Sequence, residues 1–179
     1  MTRLDRRAVL AGRVIDVSVD TVCFPDGSVG QLEFVAHRGA AAVVPFLDSP
    51  ESADPRIILL RQYRYAAGGE LWEIPAGTRD RLDEPWVECA ARELHEETGY
   101  RAGTLDFITR IHTAPGFCDE VIHLYRAHDL TPGLRNLDDD EFVEVHEVRW
   151  SEALEWVADG RITDVKTVAG LLHVAHFRG

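Results

Sequence analysis

Basic residues are in short supply: 19 lysines and arginines stand against 31 aspartates and glutamates in 179 residues. The formal charge of −12 and a pI near 5.0 exclude a surface built for nucleic acid, which demands positive charge. Cysteine is scarce too. Cys23, Cys89 and Cys118 are odd in number and lack C-x-x-C spacing, which speaks against a disulfide framework or structural zinc and for reduced thiols in the cytoplasm. No apolar run approaches the ~20 residues that span a bilayer. The opening MTRLDRRAVL is too short and too charged for a secretory signal, so a cytoplasmic protein without a membrane partner is expected. Repeats, low-complexity tracts, a G-x-x-x-x-G-K-[ST] phosphate loop and a Ser-His-Asp ordering are all missing.

What remains is an ordinary globular composition, 45% hydrophobic and 28% charged, long enough for one domain with a substantial core. Residues 13–24 alternate apolar and polar as a half-buried strand does. Pro25-Asp26-Gly27 turns the chain, and 30–37 returns as the second strand of a hairpin. Segments 40–47 and 57–64 are strongly apolar and read as buried strands, with a polar loop between them. Further strands are predicted at 71–75, 104–113, 120–127 and 142–149. Two helices close the chain: Ser151 is expected to cap 152–159, Gly160 to end it, and Thr163 to cap 164–177. This order predicts mixed α/β layers.

The densest chemical signal lies between Gly77 and Tyr100. Pro85 suits a first helical turn, with Asp83 or Glu84 as cap, and Gly99 fits just past the helix end. Val87, Ala90, Ala91 and Leu94 are expected to face the core, with Trp86, Glu93 and Glu97 roughly opposite. Glu93 and Glu97 share a face at i, i+4, beside Glu96. Such like charges weaken an isolated helix by a few tenths of a kcal/mol per pair. A hard divalent cation that prefers oxygen ligands, Mg²⁺ or Mn²⁺, would offset that repulsion. Arg92 reaches Glu88 or Glu96 one turn away.

The run Glu84, seven residues, then Arg92-Glu93-Leu94-His95-Glu96-Glu97-Thr98-Gly99-Tyr100 resembles the signature of the Nudix hydrolases, which cleave a nucleoside diphosphate linked to another group. One departure is visible. Six residues separate Gly77 from Glu84 where the family usually has five, and Asp83 stands where a glycine is usual; loops absorb such an insertion cheaply. The resemblance implies an α/β/α sandwich with a mixed sheet over 38–179. It further implies a small antiparallel sheet from 1–37 that serves a homodimer.

Arg61-Gln62-Tyr63-Arg64-Tyr65 and Glu70 to Gly77 look like the approach to the signature in the ADP-ribose pyrophosphatase type. That likeness implies substrate contacts from Arg61, Arg64 and Glu73. The implied metal ligands are the Ala76 carbonyl, Glu93, Glu96 and Glu97, with Arg92, Glu93 and Glu97 in the catalytic set. Pro115, sixteen positions after Gly99, sits in a Pro-Gly loop with Phe117 and Glu120, which the likeness assigns to substrate. The acidic loop at 137–144 would provide the water-activating carboxylate, Glu141 first and Asp139 second. Hydrolysis of ADP-ribose to AMP and ribose 5-phosphate is the implied reaction. GDP-mannose, another nucleotide sugar or a damaged nucleoside triphosphate is the competing substrate, and a non-catalytic nucleotide sensor the competing class. Phe24, Phe34 and Tyr65 are unranked aromatic candidates for base recognition. His173 and His176, three apart, are expected to pack or to lie on the surface, and Cys118 to act as a small filler.

Overall fold

Polar and apolar side chains alternate through Ile15–Cys23, and burial alternates with them, because successive residues of a strand point to opposite faces. This segment is the middle strand, β2, of an antiparallel sheet in the order β1 (Thr2–Ala11), β2, β3 (Val29–His37). The computed structural model describes residues 1–136 and 142–177, arranged as two units. The first holds residues 1–39 with 112–121; the second holds 40–111 with the described residues from 122 onward. The expected hairpin is therefore a three-stranded sheet. Residues Thr2–Ala11 add a strand whose every side chain is exposed, so no buried alternation marks it in the sequence.

In the first unit, the β2–β3 turn is closed by Phe24 N–H to the Ser28 carbonyl at 2.8 Å, with Asp26 accepting from the Ser28 amide and hydroxyl. Arg6 on β1 forks onto Asp20 on β2 at 2.7 and 2.6 Å and lies over the Phe34 ring. The loop at 112–121 is stitched to β3 through Val35 N–H to the Phe117 carbonyl at 2.7 Å and His37 N–H to Asp119 at 2.8 Å.

The second unit is built on β4 (Ala40–Pro45) and β5 (Arg56–Arg64), whose unbroken apolar runs are buried on both faces. A short 3-10 turn at Tyr65–Ala67 leads to β6 (Gly69–Glu73), β7 (Ala76–Thr78) and helix α1 (Trp86–Thr98). Then follow β8 (Tyr100–His112), β9 (Val121–Pro132), β10 (Val143–Arg149), α2 (Trp150–Ala158) and α3 (Val165–His176). One sheet runs β10-β5-β6, all antiparallel; the other runs β7-β4-β9-β8, with β4 parallel to β9 and antiparallel to β7. Ala42 and Val44 pack with Ala153 of α2 and with Leu171 and Val174 of α3. Ala41 and Val43 pack with Cys89, Ala90 and Leu94 of α1. Helices thus cover both sides of β4, which makes the fold an α/β/α sandwich.

Four local expectations are corrected. Val87 and Ala91 are exposed, whereas Glu93 and Glu97 join Cys89, Ala90 and Leu94 on the buried side of α1. Periodicity assigned the inner face by hydrophobicity alone, and two inward carboxylates rotate that face. Neither Asp83 nor Glu84 caps α1; Pro85 stands at the cap without a side-chain bond. At the other helices, Asp164 caps α3 by accepting from the Thr167 amide at 3.0 Å. Ser151 lies inside α2, and its amide and hydroxyl bond Asp54 of a distant loop.

Candidate functional site

The site grows from the contact of α1 with β7. Gly99 closes the helix in the left-handed region at φ 81°, which a Cβ would strain, and its amide returns to the His95 carbonyl. Along the inner face, Glu97 accepts from the Ala76 amide at 2.9 Å. The Glu93 carboxylate lies against residue 77, in the space a Cβ there would need, so only glycine admits it. Cys89 reaches the Gly77 carbonyl, and Arg92 donates to the Thr78 carbonyl at 2.8 Å. Two buried glutamates, 7% and 3% exposed, therefore meet the backbone of two consecutive strand residues, 76 and 77.

Arg92 gathers the acidic groups. Its guanidinium reaches Glu84 at 3.1 Å, Glu93 at 2.8 Å, Glu96 at 3.0 Å and Asp80 at 3.3 Å; Glu96, not Glu88, is its helical partner. Burial opposes the charge of Arg92, but the carboxylates outweigh it and raise the pKa. Burial likewise works to raise the Glu84 pKa, while Arg92 and the Asp80 amide bring it below the usual range. The Cys89 thiol is pushed up to about 12, first by burial and then by Glu93, so it is neutral and unreactive. In the lengthened loop, Asp83 is exposed and pairs with Arg81, whereas Glu84 is buried. Arg79 of that loop lies 3.9 Å over Trp86, which stacks on His123. Arg92 and Glu96 also line a recess of about 450 Å³ with Ala91, His95, Arg101 and Ala102, a volume within the range of small-ligand sites.

A second charged group occupies the end of β5 and β6. Arg64 forks onto Glu73 with two bonds of 2.7 Å. Glu73 is 2% exposed, and Lys166 of α3 also donates to it, at 2.5 Å. Burial pushes the Glu73 pKa up, but Arg64 and Lys166 override it and hold the carboxyl below its ordinary value. Glu97 and Asp164 add to the raised pKa of Arg64, so the two clusters share a field. Arg61 pairs with Glu70 and lies over Trp72, at the surface. Lys166, Asp164 and Thr167 escaped the sequence reading. Lys166 is the only lysine among the 19 basic residues, a compositional signal that was available.

Pro115, Phe117 and Glu120 belong to the first unit. There Glu120 accepts from Thr113 at 2.7 Å and faces His37 Nδ1 at 3.3 Å, and Phe117 is exposed. Phe34 is covered by Arg6, and Tyr65 is 92% exposed. His173 and His176 both contact the Phe177 ring. Cys118 is a free thiol that accepts from the Glu120 amide. Glu141 and Asp139 lie outside the described residues; the Asn136 amide, just before them, bonds the Glu96 carbonyl at the end of α1.

Among the described residues no three histidine, cysteine or acidic side chains converge as a finished cage. Mg²⁺ does not need one, since it is commonly held by one or two carboxylates with water and substrate phosphates completing the shell. Glu93 and Glu97, a turn apart beside the backbone of Ala76, are hard oxygen donors that fit such a cation.

Comparisons with known proteins show the family. The Nudix domain matches residues 36–169. The chain is similar to the ADP-ribose pyrophosphatase of Bacillus subtilis (strain 168), 39% identical over 94% of this chain and 89% of that protein. It is also similar to the GDP-mannose pyrophosphatase of Yersinia enterocolitica, 35% identical over 85% of this chain and 81% of that one. A solved structure described as an ADP compounds hydrolase superposes with a TM-score of 0.80 at 25% identity, covering 98% and 92% of the two chains.

Proposed function

Because the chain belongs to the Nudix family, we propose that it hydrolyses the pyrophosphate bond of ADP-ribose to AMP and ribose 5-phosphate, using a divalent cation. The observation that carries the proposal is the pairing of Glu93 and Glu97 with the backbone at 76–77, in the unit that also holds the Arg64 fork. Glu93, Glu97, the Ala76 carbonyl and Glu96 would hold Mg²⁺, with Mn²⁺ as substitute, and the ion would polarise phosphoryl oxygens and acidify a water. Arg92 keeps Glu93 and Glu96 oriented. Arg64 offers its remaining donors to phosphate or ribose, with Glu73 fixing it from behind and Arg61 at the rim. Glu141 or Asp139 takes the proton as water oxygen bonds to phosphorus and the bridging P–O bond breaks.

Incubation of the purified protein with ADP-ribose and Mg²⁺ should release AMP and ribose 5-phosphate in equal amounts. Faster hydrolysis of GDP-mannose, the substrate named for the Yersinia relative, with no AMP from ADP-ribose, would sink the assignment and favour that alternative.

The molecule works as a cytoplasmic homodimer that uses residues 1–37 as its contact, with 38–179 as the catalytic domain. Support comes from the exposure of β1, where Leu4, Val9 and Leu10 each leave more than half their surface to solvent, and from the three free thiols. Sedimentation should give a dimer, and a chain lacking residues 1–11 should run as a monomer; a monomeric full-length protein overturns the dimer.

A further inference from the structure

Four charges alternate along one line in the second unit: Asp164, Lys166, Glu73 and Arg64. Lys166 Nζ donates to Asp164 at 3.0 Å and to Glu73 at 2.5 Å, and Glu73 receives the Arg64 fork. The inner three side chains are 15%, 9% and 3% exposed, and only Arg64, at 42%, opens to solvent. Asp164 is itself held as the α3 cap by the Thr167 amide and hydroxyl, and the same hydroxyl accepts from the Ile74 amide at 2.9 Å. The line thus starts on a rigid helix end and finishes on one outward cation.

We infer that Lys166 is a positioning residue for substrate binding, fixing the guanidinium of Arg64 through the buried carboxylate of Glu73. The inference rests on Arg64 as a substrate contact. Two of the five Arg64 donors are spent on Glu73, which aims the rest in one direction. Lys166 is too buried to take that outward role itself. Without its ammonium, Glu73 sits in a low-dielectric site with surplus negative charge from Asp164, and a buried carboxyl so placed takes up a proton at higher pH than before. A protonated Glu73 no longer forms a charge-assisted fork, and Arg64 is released.

Lys166→Met should raise KM for ADP-ribose roughly tenfold with a smaller change in kcat, the loss expected for one charge-assisted bond. The acid limb of kcat/KM should move to higher pH, and Lys166→Arg should recover most of both. In a cycle with Arg64→Ala, the two effects should fall well short of adding. A lower melting temperature with unchanged KM and pH limb, or strictly additive effects, overturns the inference. A second readout needs no substrate. With one lysine in the chain, protein labelled with ¹⁵N-lysine yields a single side-chain ammonium resonance, which should be protected and should lose protection in Glu73→Gln. The Arg64 Nε–H resonance should in turn lose protection in Lys166→Met. If wild-type protein leaves ADP-ribose intact, the substrate assignment falls, while these resonances still decide the positioning role; an Arg64 signal indifferent to Lys166 overturns it.

Discussion

Glu97 serves two partners whose demands can be separated. Its carboxylate accepts from the Ala76 amide, and its negative charge is what a divalent cation requires. Glu97→Gln keeps an acceptor of the same shape and removes the charge. Turnover should fall roughly 100-fold or more, the scale of losing one charge-stabilising group, while the melting temperature stays near that of wild type. Near-normal activity in that variant would remove Glu97 from the metal set. At this scale the spacing of Glu93, Glu97 and Gly99 was readable because helical geometry fixes which residues share a face. The need for glycine at 77 was visible only as a motif position; the cause, a glutamate carboxylate in the space of its Cβ, required the packed helix. Lys166 was overlooked because Glu73, the carboxylate it holds, lies 93 positions away in the chain.

Among the elements, α3 does more than cover a sheet face. Its Thr167 is fully buried, and the hydroxyl both donates to Asp164 and accepts from the Ile74 amide just before β7. Thr167→Val preserves volume but strands that amide in the core. Unfolding free energy should drop by about 1–3 kcal/mol, measured by denaturant titration, the cost of a buried unsatisfied donor. No drop beyond error would mean the amide finds another partner. Strands β4 and β5 were legible, since unbroken apolar runs of that length have few other fates. The caps were less so. Thr163 and Asp164 are both competent, and the choice fell to the residue whose oxygen reaches the Thr167 amide. Ser151 was the natural cap for α2 until Asp54, 97 positions earlier, bound it.

Across the whole molecule, acidity sets the pH response. The carboxyls of Glu73, Glu84 and Asp48 are all held below their ordinary values of 4.5 and 3.8, and Asp48 is brought to about 2 by its fork from Arg56. A carboxyl depressed on folding stabilises the native state above its unfolded pKa, and that stability disappears as pH falls through the folded value. Thermal melts should therefore show a first, smaller loss below pH 6.5, where burial lowers the pKa of His123, then fall below 4.5 and continue falling toward about 2. A melting temperature that rises on acidification would contradict the ion-pair assignments. Among the described residues no helix is long and apolar enough to cross a membrane.

Local order, the layered class and the acidic signature followed from the amino-acid sequence alone, because periodicity, capping chemistry and residue spacing act over a few bonds. The inward turn of Glu93 and Glu97, the convergence of Arg92 on four acids and the line from Asp164 to Arg64 were decided only by the tertiary structure. The first and last join groups distant in the chain, the second draws a loop onto its neighbouring helix, and burial, which gives those charges their strength, exists only once helix and strand have packed.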